Sequence, residues 1–179
     1  SYVDALERLE IALAAAYPMR NRCPVDPAAL TAIAPSFNQF LYRAPCERLA
    51  DGALNPRLDI QAIETRYLGQ QPEVTFIDHL LKPEALTALR TFCLESTIWK
   101  KDYENGYLGA FLGDGFATPL LLQIAEELRR AFPGIFKDHR LTQAWAFKQD
   151  SARRGLSIHA DAAAVNVNFW ITPDEANLN

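Results

Sequence analysis

The chain is 179 residues long, with 49% hydrophobic, 22% charged and 11% aromatic residues. That composition describes a globular protein with a real core, and the length suits one domain or one domain plus an appendage. A net charge of -4 and a sequence pI near 5.4 provide no basic field for nucleic acid, and Arg129-Arg130 and Arg153-Arg154 are isolated pairs, not a stripe.

The apolar runs Ala12 to Tyr17 and Leu120 to Leu122 fall far short of the roughly 20 residues a membrane-spanning helix needs. The N-terminus has neither an initiator Met nor a basic-then-apolar leader, so Ser1 is expected to be a fragment boundary. Cys23, Cys46 and Cys93 are odd in number and widely spaced. They are expected to be small buried hydrophobes in a reducing, cytoplasmic setting, not a disulfide framework.

In chain order, Val3, Leu6, Leu9, Leu13 and Ala16 recur at helical spacing and Pro18 stops the pattern, which predicts a helix over Tyr2 to Tyr17. Asp26 as N-cap and Pro27 at the first helical position open a second, expected to reach about Phe40 with Leu30, Ile33 and Phe37 as its stripe. A short helix near Asp59 to Tyr67 is closed by Gly69 and Pro72. These elements form an expected helical segment over residues 1–70, and a second segment covers 71–179.

The second segment begins with "EVTFIDHLL", whose alternation predicts a strand. A helix follows from Pro83 to about Ser96. Asn105-Gly106 between aromatic runs is a strong hairpin signal. Thr118-Pro119 opens a helix to about Phe132, terminated by Pro133-Gly134. The remainder, "LTQAWAFKQD", "LSIHAD" and "AVNVNFWIT", reads as three consecutive strands.

Chemistry concentrates in "GLSIHADAAAVNVNFWIT", Gly155 to Thr172, which holds one of only three histidines. On a strand, positions i and i+2 share a face about 6.6 Å apart, so His159 and Asp161 face one way. Two such side chains can converge on one divalent metal, each at about 2.0 to 2.2 Å. Imidazole with carboxylate suits non-haem Fe(II), where open coordination positions are needed. Spacing alone leaves two readings of the pair, a metal half-site and a surface histidine beside an acid. A Ser157–His159–Asp161 hydrolytic triad is disfavoured, because a short serine hydroxyl on the same strand face cannot reach the imidazole and no G-x-S-x-G turn is present.

Together with "VTFIDHLLKPEALTALRTFCLESTIWK", this stretch resembles the Fe(II)- and 2-oxoglutarate-dependent oxygenases of the prolyl-4-hydroxylase-like branch. It is particularly like a bacterial group in which the oxygenase domain follows helical, tetratricopeptide-like sequence. The resemblance covers about Glu73 to the end and implies an α+β fold: a double-stranded β-helix (jelly-roll) core behind N-terminal helices. It implies a dioxygenase that takes O2 and 2-oxoglutarate, hydroxylates a C–H bond, and has a protein or peptide as the favoured substrate; charge and hydropathy separately lead to the expectation of no nucleic acid or membrane partner.

By the same resemblance, His159 and Asp161 are the catalytic metal ligands, while Asn166, Asn168 and Trp170 face the cosubstrate and Trp145 walls the pocket. Other readings stand beside these. The two amides can face solvent on a one-sided sheet, Trp145 can be an ordinary core aromatic, and Arg153 and Arg154 can lie on a solvated loop. The family's distal histidine and its basic residue for 2-oxoglutarate have no counterpart before Asn179, and His79 and His139 read as surface residues. The chain is therefore expected to hold only the first portion of the barrel. The alternative function is a non-catalytic β-helix or helical binding module that has lost the metal site.

Overall fold

The computed structural model describes residues 1–18, 24–103, 106–149 and 161–176. Among them α1 (Tyr2–Ala16) and α2 (Pro27–Ile33) pack against each other. Local chemistry sets their starts. Ser1 and Asp4 form a reciprocal capping box on α1, and the Asp26 carboxylate accepts from Ala28 N at α2. The second helix ends at Ile33, well before Phe40, and gives way to turns. Pro35 explains the early stop, since it has no N–H to donate and its ring crowds the preceding turn. Ile33 is buried while Phe37 is exposed, so the expected stripe is cut short.

The main core is built from α3 (Ile60–Leu68), α4 (Pro83–Glu95) and α5 (Pro119–Ala131), with the extended chain at Ala44 to Ala53. Phe92, Ile98, Leu120, Ile124 and Phe132 are its most deeply buried large side chains. Ala44, Cys46, Ala53 and Ile63 join the same cluster, so the core draws on both sides of residue 70. Asp59 and Thr118 cap α3 and α5, and Pro83 and Pro119 open α4 and α5, as the sequence predicts. Pro133-Gly134 does end α5, but it also starts α6 (Pro133–Phe136), because Gly134 N donates to Glu64 Oε1 of α3 at 2.6 Å.

Side chains tie the extended segment to the helices. Glu127 of α5 accepts from Ala53 N at 2.8 Å and Leu54 N at 2.9 Å, and Gln123 bonds both the N–H and the carbonyl of Leu49. At the other end, Thr97 Oγ1 accepts from Leu41 N and Tyr42 N, and buried Ser96 Oγ accepts from Ala44 N. A loop that penetrates a core needs such partners for its backbone.

The sheet has three antiparallel strands in the order β1 (Lys101–Tyr103), β2 (Tyr107–Phe111), β3 (Trp145–Gln149). The first two make the expected hairpin, with Gly106 at φ +83°. That left-handed value is why glycine follows Asn105. In register, Gly109 lies opposite Phe147 and Phe111 opposite Trp145. One sheet face carries Ala110 and Ala146 onto the helical core. The fold class is thus α+β: helices against one side of a small antiparallel sheet.

Two expected strands are corrected. "EVTFIDHLL" forms no strand: Arg66 Nη2 donates to the Phe76 carbonyl at 2.7 Å and Arg66 Nε to Thr75 Oγ1, while Val74 and Phe76 stand exposed. Only Leu81 pairs, in an isolated bridge to Leu54. "AVNVNFWIT" forms no strand either, because no described strand lies alongside to complete a ladder. It runs extended over α4, where Arg90 Nε donates to the Ile171 carbonyl at 2.8 Å and Phe169 and Ile171 pack on the core. Most of "LSIHAD" lies outside the described residues. No helix among the described residues is long and apolar enough to cross a membrane.

Candidate functional site

The residues singled out from the sequence fall into two places. His159 lies outside the described residues. Asp161 is half-buried at the start of the C-terminal run, where Ala163 N donates to its main-chain carbonyl at 2.9 Å and closes a tight turn. Beyond the turn, Asn166 comes back over Asp161, its Nδ2 standing 3.5 Å from the carboxylate Oδ2. Phe169 and Ile171 pack on the core, whereas Asn166, Asn168 and Trp170 are exposed, Trp170 at 80%; Val167, which alternation puts on the packing side with Val165, Phe169 and Ile171, is exposed as well. The opposite face is open.

Trp145 belongs to the second place. The sheet face turned away from the helices carries Tyr103, Tyr107, Phe111, Trp145 and Phe147, none of which joins the helical core cluster and all of which are half-buried. The Tyr103 and Tyr107 rings stack at 4.3 Å, and Phe147 meets both edge-on at 6.0 and 5.3 Å. Such offset and edge-to-face contacts satisfy the ring quadrupoles. Lys101 Nζ lies 5.9 Å from the centre of the Tyr103 ring, at the rim.

Gly109 sits in the middle of this face. A Cβ there would stand 3.1 Å from Tyr103 Cε2, 3.2 Å from Phe111 Cε2 and 3.4 Å from Phe147 Cε1. Its lack of a side chain is what lets the rings close over the strand. The sequence reading singles out Trp145 and misses Tyr103, Tyr107 and Phe111. The signal was available: continuing the period-2 parity of Phe147 and Trp145 through the hairpin register puts all five rings on one side.

Other chemistry-bearing groups are engaged in structure. Cys46 and Cys93 are buried free thiols, as expected, and Cys23 lies outside the described residues. Burial, then the neighbouring Cys46 thiol, pushes the Cys93 thiol up to about 11, and burial also raises that of Cys46. Both therefore stay protonated and unreactive at neutral pH. Burial alone would raise the Glu127 carboxyl. The Leu54 and Ala53 amides, Gln123 and Lys82 outweigh it and hold Glu127 below the usual range.

His79 and His139 are exposed, and Asn55 Nδ2 donates to the His79 main-chain carbonyl. Among the described residues no three His, Cys, Asp or Glu side chains cluster closely enough to hold a metal.

No protein-family model matches the chain, and no curated protein and no solved structure matches it.

Proposed function

We propose that the chain is part of a non-haem Fe(II)- and 2-oxoglutarate-dependent dioxygenase built on a double-stranded β-helix, acting in the cytoplasm on a peptide or protein. The observation that carries this reading is the two-sided sheet. Helices back one face through Ala110 and Ala146, and the other presents five aromatic rings, Trp145 among them. A jelly-roll oxygenase needs this asymmetry, because its pocket lies against the inner face of one sheet while helices brace the outer face. Pockets of this kind are mostly apolar, with a few placed polar groups.

The donor set fits the metal in chemistry. His159 would supply an imidazole and Asp161 a carboxylate, the pair that suits Fe(II) with open coordination positions, and the Asp161 carboxylate already lies half-buried with an amide donor on one oxygen. With Fe(II) held there, the chemistry supplied is the coupling of 2-oxoglutarate decarboxylation to O2-dependent C–H hydroxylation, yielding succinate, CO2 and an alcohol. Asn166 and Asn168 would donate amide hydrogen bonds toward an anionic cosubstrate.

The test is succinate formation by the full-length protein supplied with Fe(II), O2 and 2-oxoglutarate. His159→Ala and Asp161→Ala are each expected to abolish it without changing the unfolding transition. Succinate production that survives in the doubly substituted protein overturns the assignment. A native protein that binds neither Fe(II) nor 2-oxoglutarate returns the alternative, a non-catalytic binding module.

A further inference from the structure

We propose that the aromatic face of the sheet docks an extended peptide with an acidic residue two positions from a large apolar one, the carboxylate meeting Lys101 and the apolar side chain lying on Phe111 and Trp145. The inference names the peptide that the reading above leaves open and rests on that reading for a polypeptide partner, but neither His159 nor a metal enters it. Charge selects the partner. Besides the five rings and Gly109, alternation turns only Lys101 and Gln149 to this face, so among the described strand residues there Lys101 alone is charged. Its side chain is exposed, with Nζ 5.9 Å from the centre of the Tyr103 ring. A ligand that covers the rings thus meets a cation and no acid. Beside apolar surface the effective dielectric falls, which strengthens an ion pair formed there. A second copy of this face brings the same cation and no carboxylate, so face-to-face pairing of two chains leaves Lys101 without an acid.

Register sets the spacing. Lys101 is level with Gly109 and Phe147, whereas Phe111 pairs with Trp145 two residues further along β2. Rows two residues apart are separated by about 6.6 Å along a strand, which is also the separation of the same-face side chains i and i+2 in an extended peptide. A peptide running along β2 therefore reaches both rows with residues two apart. The rings meet it already ordered. Tyr103, Tyr107 and Phe147 pack on one another beside buried Gly109, so few rotamers are left to freeze on binding.

The test follows the amide chemical shifts of the isotope-labelled full-length protein, without metal, as a short soluble peptide is added in which one serine separates a glutamate from a phenylalanine. Shifts are expected across β1, β2 and β3 and not in α5. Replacing the peptide's phenylalanine by alanine is expected to weaken binding by more than about tenfold, and replacing its glutamate by glutamine by about threefold to fivefold. Lys101→Glu, at an exposed position, is expected to keep the unfolding midpoint, to lose the glutamate peptide and to gain a lysine peptide in its place. Native protein whose sheet amides do not respond to the peptide, or which binds the glutamate and glutamine peptides alike, overturns the inference, as does a Lys101→Glu protein that still prefers the glutamate peptide. Shifts of the same amides that depend on protein concentration alone assign the face to a second copy and overturn it too. Succinate formation is read separately: its absence with peptide binding intact overturns the dioxygenase reading only, and its presence without peptide binding overturns only the docking surface.

Discussion

The helical core and the C-terminal run are held in place by different means. Residues 41–136 are fastened by buried side chains and by side-chain hydrogen bonds that span long stretches of sequence, such as Glu127 to Ala53 and Thr97 to Tyr42. In the run from Asp161 to Ala176, Phe169 and Ile171 pack on the core, Arg90 holds the Ile171 carbonyl and a turn closes at Asp161, while Asn166, Asn168 and Trp170 are exposed. Stability and candidate chemistry are thus carried by separate parts of the chain. A change in the first should unfold the protein, whereas a change in the second should alter binding and leave the fold intact.

The largest expected effect comes from the core. Phe92 of α4 is fully buried, in ring contact with Phe116 at 6.3 Å. Phe92→Ala should lower unfolding free energy by about 3 to 5 kcal/mol, measured by urea denaturation. A loss below about 1 kcal/mol would mean that this cluster is not the main core.

Next is the strap between α5 and the penetrating loop. Glu127→Ala removes the acceptor for two amides and should cost about 2 kcal/mol. Its pH dependence has a definite sign. The folded carboxyl titrates below the unfolded one, so the unfolded chain binds more protons and Glu127's contribution is complete above the unfolded pKa and lost as pH falls through the folded one. Glu127→Gln should flatten the acid side of the stability profile. An unchanged acid limb would show that the two amides find other partners.

Arg90→Ala sharpens the contrast. Freeing the Ile171 carbonyl should cost about 1 kcal/mol at most and should speed amide exchange across residues 165–171 while that of α4 and α5 stays slow. Uniformly faster exchange would mean that the run and the core unfold as one unit. The smallest effect belongs to Trp170→Ala, expected to change stability by no more than about 0.5 kcal/mol, since the ring is 80% exposed. A larger loss would place Trp170 in a buried contact.

Legibility in the sequence follows the range of the interaction. The starts of α2, α3 and α5 could be read because Asp26, Asp59 and Thr118 act on amides two or three residues away. The hairpin could be read because Asn105-Gly106 is a local backbone requirement. "EVTFIDHLL" was misread because its alternation is a strand's, but a strand needs a partner and Arg66 took the Phe76 carbonyl instead. For the candidate site, alternation separates Phe169 and Ile171, which pack on the core, from exposed Asn166, Asn168 and Trp170, but Val167, on the apolar side by the same alternation, is exposed. The closeness of Asn166 to Asp161 depended on a turn that parity along a straight strand cannot represent.

What the sequence determined by itself is therefore the set of helices, where most of them begin, the hairpin, and which side of the C-terminal run is apolar. All of these rest on caps, prolines, glycines and periodicities acting within about one turn of chain. The tertiary structure alone decided which extended segments became strands, that the Ala44 to Ala53 segment enters the helical core, and that Tyr103, Tyr107, Phe111, Trp145 and Phe147 gather on the uncovered sheet face. Each of those outcomes depends on a hydrogen-bond or packing partner supplied from far along the chain, and such partners exist only once the chain has folded.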